Sequence, residues 1–228
     1  MKKFFTCPLF WSFVFWIFSS QGTFGQEKED QYAKLERPLS LRPDSDAWLK
    51  ATIQFRIFAN PLLPVENKPE SLDEVFNPEY LDNVKVKLHL CFSDDYKKKL
   101  LRSSELQEID YYQYYSSELE FHTLKIENSS KYAEFLFPAS IAERDGFDSG
   151  RVTPVGYVIS ISYNNIPFNL SNDIVWKYGS KDIRDENTLL KFKQQAEQKC
   201  EVNDGILIPA HRINTNLLNS NPIKLSNN

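Results

Sequence analysis

Glycine is scarce in this chain, with only 7 among 228 residues. None of them falls into the G-x-G-x-x-G or G-x-x-x-x-G-K-[ST] spacing, whose backbone cradles phosphate groups. The G-x-S-x-G arrangement that marks many serine nucleophiles is missing as well. The sequence therefore predicts no catalytic residues and no cofactor, and we expect a protein that is not an enzyme.

Histidine is also rare, and the three that occur are His89, His122 and His211. Zinc sites draw on several His or Cys ligands at short spacing. Here only His89 has such a neighbour within four residues, Cys91. Positions i and i+2 of a strand share a face, but two ligands do not complete a metal shell. We expect ordinary outward side chains and no metal site.

An excess of positive charge is missing too. The chain has 27 Lys and Arg against 31 Asp and Glu, a formal net charge of −4. Domains that bind nucleic acids usually carry a clustered basic surface. The short run Lys97–Lys99 is more typical of a solvated face. We therefore expect no nucleic-acid partner.

The only long apolar run lies at the start of the chain. "MKKFFTCPLFWSFVFWIFSSQGTFGQ" has two lysines, an apolar stretch and then small and polar residues, which is the layout of a secretory signal. Residues 1–25 are therefore predicted to be a signal peptide, with export to the periplasm or outer cell surface. The alternative is an uncleaved signal that anchors the protein, which would be its only contact with a membrane.

Two cysteines remain after removal of such a signal, Cys91 and Cys200. An exported chain with two cysteines invites one disulfide. Two unpaired thiols are the alternative, since pairing requires a predicted strand and the end of a predicted helix to meet.

Period-2 alternation dominates the middle of the chain. In "WLKATIQFRIF" the apolar row Leu49, Ala51, Ile53, Phe55 and Ile57 alternates with Trp48, Lys50, Thr52, Gln54 and Arg56. "YLDNVKVKLHLCF" alternates in the same way, and such patterns predict strands with one buried face. The fold class predicted is mainly β, an antiparallel immunoglobulin-like sandwich with one or two short helices.

Other segments refine this layout. The alternation slips between Phe121 and Leu124, which indicates a bulge or a switch of face. Pro138 is placed to open a short helix, and Asn164-Asn165 predicts a two-residue hairpin turn. "RDENTLLKFKQQAEQ" reads as a helix. The predicted division is a flexible leader at 26–46, a sandwich at 47–170, and a C-terminal extension at 171–228 with a helix and a mobile tail.

One aromatic cluster stands out. "DYYQYY" places Tyr111, Tyr112, Tyr114 and Tyr115 within five positions. Exposed tyrosines can stack on sugars or anchor protein contacts, which makes this a candidate contact surface. The alternative is a set of strand residues packed against one another.

Four segments together resemble a known family. "WLKATIQF", "EYLDNVKVKLHLCF", "SSELEFHTLKIENSSKYAEFLFPASIAERDG" and "GYVISISYNNIPF" follow the order of blocks in an exported immunoglobulin-like β-sandwich family of Verrucomicrobia, encoded beside type IV pilus assembly genes. The resemblance spans roughly Trp48 to Leu170. The region from Trp176 onward fits loosely, and the proline-rich loop after Ala59 and the "DYYQYY" insertion are longer than in that pattern.

The resemblance implies a non-enzymatic structural or interaction protein of the bacterial cell envelope, with a protein partner in the envelope or pilus machinery. The family has no known catalytic residues to carry over. A carbohydrate- or mucin-binding module that uses the tyrosine cluster is the alternative.

Overall fold

The computed structural model describes residues 32–44, 47–61, 77–101, 108–147, 152–178 and 181–212. The predicted signal peptide and the predicted mobile tail beyond residue 212 lie outside these ranges, as does most of the proline-rich loop. None of the helices within the described ranges is long and apolar enough to cross a membrane.

Strands are the commonest element in the described chain. The strands are β1 Ala33–Leu35, β2 Ser40–Pro43, β3 Trp48–Ile57, β4 Tyr80–Ser93, β5 Tyr112–Lys125, β6 Lys131–Pro138, β7 Gly156–Tyr163, β8 Ile166–Pro167, β9 Ile174–Tyr178, β10 Lys181–Asp182 and β11 Ile208–Pro209. The α-helices are α1 Asp95–Leu101, α2 Ala139–Arg144 and α3 Glu186–Lys199. Short 3-10 turns cover Glu108–Tyr111, Cys200–Asn203 and Ala210–Arg212.

The strands form two antiparallel sheets. The first sheet has the order β1-β3-β6-β11, with β2 also paired to β3. The second has the order β10-β9-β7-β4-β5, with β8 also paired to β7. The chain therefore folds as a mainly β, two-sheet antiparallel sandwich, which confirms the predicted fold class at this level.

Strand β3 supplies the clearest link between pattern and core. All five residues of its predicted inward row are buried, and four of them are no more than 1 % exposed. They join the main core between the sheets together with inward residues of β4, β6 and β7. Fully burying a side chain such as Ile53 or Phe55 contributes roughly 1.5–3 kcal/mol, so this alternation fixes which face of β3 turns inward.

The slip predicted in β5 is a switch of face, without a bulge. Val84 of β4 lies opposite Phe121, and Asp82 lies opposite Thr123, so the pairing register continues unchanged. Between them, Asn83 adopts a positive φ of 57°. Asn tolerates this left-handed conformation better than most residues, and the local turn of the backbone brings both Leu81 and Leu124 into the core.

The predicted turn and helices are present. Asn164 and Asn165 have φ values of 47° and 64°, as a type I′ hairpin turn requires, and Tyr163 pairs with Ile166 across it. Pro138 precedes α2 as its N-cap residue. The N-cap of α3 is Asp185, whose carboxylate accepts the Thr188 N–H at 2.8 Å.

The prediction of a flexible leader at 26–46 is wrong for its described part. Strands β1 and β2 both pair with the same edge of β3, through registers such as Ala33 opposite Ile57 and Leu41 opposite Ala51. Ala33 is completely buried. Two strands of three and four residues, separated by Pro38, are too short to show a period in the sequence.

The predicted sandwich boundary at residue 170 is also wrong. Strand β9 pairs with β7, and β11 pairs with β6, so the last part of the chain completes both sheets. Ile208 of β11 packs with Trp48 and Leu136 on the outer face of the first sheet. Trp48, predicted to face outward, is therefore covered and only 1 % exposed.

Candidate functional site

The four tyrosines of the predicted contact surface are buried. Tyr111, Tyr112, Tyr114 and Tyr115 are 8 %, 3 %, 1 % and 0 % exposed. Tyr115 belongs to the core between the sheets, whereas Tyr112 and Tyr114 lie on the opposite face of β5. These side chains are packing residues, so the prediction of an exposed contact surface is corrected.

A second apolar layer explains that burial. Helix α3 lies on the outer face of the second sheet and forms with it an outer cluster, whose buried members are Cys91, Ile109, Tyr112, Tyr114, Val158, Phe192, Ala196 and Cys200. Trp176 packs at its margin, and its indole N–H donates to the Tyr112 hydroxyl at 3.2 Å. The amide of Asn203 donates to the Tyr114 carbonyl at 2.9 Å, which ties the chain after α3 to β5.

Gly156 allows α3 to dock this closely. A Cβ at this position would lie 2.6 Å from the Val175 carbonyl oxygen and 2.7 Å from Cζ of Phe192. The Phe192 ring therefore occupies the space that any other side chain would need. It stacks on the Trp176 ring at a centroid distance of 5.4 Å, which joins α3, β7 and β9 into one layer.

Both cysteines of the predicted disulfide lie in this outer cluster as free thiols. Burial raises the pKa of the Cys91 thiol well above its ordinary value, which keeps it protonated and a poor nucleophile. The Cys200 thiol donates to the Glu197 carbonyl at 3.3 Å within its own helical turn. The strand and the helix end do meet, as pairing would require, but the structure contains no bond between them.

His89 lies on the same outer face and is 3 % exposed. The side chain lies on the outer face of β4, as predicted. It is nevertheless buried, because α3 packs on this face and the sequence did not indicate that. Burial, together with the charges of Lys87 on β4 and Lys193 on α3, lowers its pKa to about 4. The lowered pKa keeps the imidazole neutral at pH 7, and its Nδ1 has no hydrogen-bond partner among the described residues.

The outward row of β3 is held in a polar network. Glu36 accepts hydrogen bonds from Ser130, Gln54 and Arg56, and these hold its pKa below the ordinary value. The Arg56 guanidinium also donates to the Asn128 side chain at 2.6 Å. These contacts link β3 to the segments on both sides of it, so this part of its outer face carries cross-strand stabilisation.

A long open groove runs along one edge of the sandwich, with a volume of about 1840 Å³. We call it the edge groove. One wall is the segment Leu35–Arg42, which contains β2 and its approach. The other wall comes from β9, β10 and the start of α3, with residues such as Val175, Ile183 and Leu190. The groove therefore lies beside the outermost strands of both sheets.

Apolar and charged side chains share this groove. Tyr132 and Leu190 line it and are 54 % and 51 % exposed. Arg37, Arg42 and Arg184 also line it and are exposed. Within the described part of the chain, none of these three arginines forms a hydrogen bond or an ion pair.

The groove could not be found from the sequence. One of its walls is the segment interpreted as a flexible leader, and the other was assigned to a separate extension. The described residues contain no group of three His, Cys, Asp or Glu side chains that could hold a metal ion. What the edge groove offers chemically is apolar surface, strand edges and guanidinium groups.

Comparisons with known proteins give no relative. The chain matches no protein-family model, and no curated protein or solved structure matches it. The structure alone defines the class of this protein, which is a two-sheet antiparallel β-sandwich with a helix packed on one outer face.

Proposed function

We propose that this chain is an exported, non-enzymatic structural or interaction protein of the bacterial cell envelope, associated with a type IV pilus-like system. The observation that carries the interaction role is the edge groove, an open surface beside the terminal strands of both sheets. Addition of an extended segment at a sheet edge is a common way for β domains to bind partners. The assignment to the cell envelope rests on the apolar N-terminal run, and the association with a pilus rests on the family resemblance.

The order of the strands supports an immunoglobulin-like assignment within the sandwich class. The chain passes from β3 in the first sheet to β4 and β5 in the second, returns to β6, and crosses again to β7. With β2, β3 and β6 facing β9, β7, β4 and β5, this matches the A-B-E and G-F-C-C′ arrangement of that fold.

The carbohydrate-binding alternative loses the observation that suggested it. It required exposed tyrosines in "DYYQYY", and all four are 8 % exposed or less.

Cross-linked affinity capture from an envelope fraction of the source bacterium tests the proposal. The full chain should recover a pilus or envelope component reproducibly. Tyr132→Glu, which places a charge in the edge groove, should reduce that recovery. Tyr96→Glu is the matched control, because Tyr96 is 68 % exposed on α1 and does not line the groove. Recovery of no envelope component, or equal loss with both variants, would contradict the proposal.

A further inference from the structure

The edge groove has an unbalanced charge. Two of its lysines are neutralised in place, since Lys50 lies 3.0 Å from Asp44 and Lys177 lies 3.9 Å from Asp182. Arg37, Arg42 and Arg184 have no such partner among the described residues. Four acidic residues also line the groove, Glu36, Asp173, Asp182 and Glu186. With five basic residues against these four, the lining has an excess of one positive charge in a protein whose net charge is −4.

Strand β2 exposes backbone groups next to these arginines. The Asp44 N–H donates to the Trp48 carbonyl at 3.0 Å, and hydrogen-bonded pairs alternate along antiparallel strands. By this alternation Arg42 and Ser40 bond to β3, and the N–H and C=O of Leu41 point away from it. The neighbouring outward N–H, that of Leu39, already donates to the Tyr157 hydroxyl at 3.4 Å, and Pro43 has no N–H.

The edge can therefore pair with a partner only over a short stretch. One N–H and a few carbonyls remain for an added strand, and prolines on both sides limit the pairing, as in many protected edges. Affinity and selectivity must then come from side chains. Guanidinium groups present a planar fork that matches carboxylates, and the exposed Leu190 and Tyr132, which also line the groove, offer apolar contact.

We propose that the edge groove binds an extended, acidic peptide segment of a partner protein, in which carboxylates alternate with apolar side chains. The segment pairs with the backbone of Leu41, its carboxylates meet Arg37, Arg42 and Arg184, and its apolar residues contact the groove floor. This inference rests on the proposed interaction function, and it adds the chemical nature of the partner.

Titration of the full chain with labelled peptides tests this inference. A peptide of alternating glutamate and valine should bind, and one of alternating lysine and valine should not. Binding of the acidic peptide should weaken as salt is added, because the arginine contacts are exposed and screened. The triple variant Arg37→Gln, Arg42→Gln, Arg184→Gln should bind it about tenfold more weakly or worse.

A second triple variant serves as the control for net charge. Lys99→Gln, Lys125→Gln and Arg212→Gln remove the same charge from exposed positions outside the groove, and they should leave the affinity unchanged. Equal weakening by both triple variants, or equal binding of both peptides, would overturn the inference. So would self-association of the wild-type chain that the groove variant abolishes, because the occupant would then be a second copy. If neither peptide binds while Tyr132→Glu still abolishes envelope capture, the acidic partner is wrong and the proposed function stands.

Discussion

The contact between Gly156 and Phe192 shows how one residue determines the position of α3. Position 156 requires glycine because the Phe192 ring and the Val175 carbonyl both approach it closely, and a Cβ would collide with them. No pattern in the sequence indicates this, because a glycine at the start of a predicted strand reads equally well as a turn residue.

Substitution of Gly156 by alanine should therefore overpack the outer cluster. We expect Gly156→Ala to lower the free energy of unfolding by about 1–3 kcal/mol, measured by urea denaturation. Ser160→Ala, on the same face of β7 and clear of this contact, should change it by less than about 0.5 kcal/mol. Equal effects of the two variants would contradict the packing described for α3.

His89 makes a second residue-scale prediction, through pH. Its folded pKa of about 4 lies below the ordinary value of 6.5. Between these values the unfolded chain binds a proton that the folded protein does not, so the free energy of unfolding falls as the pH falls. From pH 7 to pH 5 this group should remove about 2 kcal/mol.

The variant His89→Leu should lose that part of the pH dependence. Denaturation measured at pH 7 and at pH 5 should show a smaller difference for this variant than for the wild-type protein. His122→Leu, at an exposed position of β5, should keep the wild-type difference. A His89→Leu protein with an unchanged pH dependence would show that His89 is not buried as described.

At the scale of elements, the sequence predicted the strands and helices that have a periodic pattern of apolar residues. Strands β3 and β7 and helix α3 each carry a long regular pattern, and the Asn164-Asn165 turn has a specific local signal. Strands β1 and β2 have neither, because they form only by pairing with β3. The tyrosines of β5 were placed on a candidate surface for a similar reason: their cover, α3, comes from a distant part of the chain.

The membership of β1 in the first sheet can be tested at Ala33. This residue is fully buried, so Ala33→Asp introduces a charge without a partner and should cost about 3 kcal/mol or more. Lys34→Asp, at an exposed neighbouring position, should change the free energy of unfolding little. If Ala33→Asp is as stable as the wild-type protein in thermal melts, the segment is a leader after all.

The described part of the molecule has two sheets, a core between them and an additional layer under α3. Its sandwich class follows from the alternating segments, whereas the edge groove requires residues 35–42 to meet residues 174–190 at one side of the sandwich. This contact between distant segments forms only in the folded protein, and no local sequence pattern indicates it. The contact surface predicted at Tyr111, Tyr112, Tyr114 and Tyr115 is buried for the same reason, because the helix that covers it comes from a distant part of the chain.

The state of the cysteines is a property of the fold as a whole, because Cys91 of β4 and Cys200 at the C-cap of α3 are both buried where the helix packs on the sheet. In the folded protein Cys91 and Cys200 should react slowly with a small thiol reagent, since they are 1 % and 6 % exposed. After denaturation without reductant, both should react rapidly. Thiols that react only after reduction would instead show that the two cysteines are bridged.

Photo-cross-linking in an envelope fraction tests the central claim, that the edge groove is the interaction surface. A photoreactive residue would replace Leu190, which is 51 % exposed in the groove, or Val202, which is 81 % exposed outside it. We predict a specific protein adduct from position 190 and none from position 202. An adduct from position 202 with none from position 190 would contradict it.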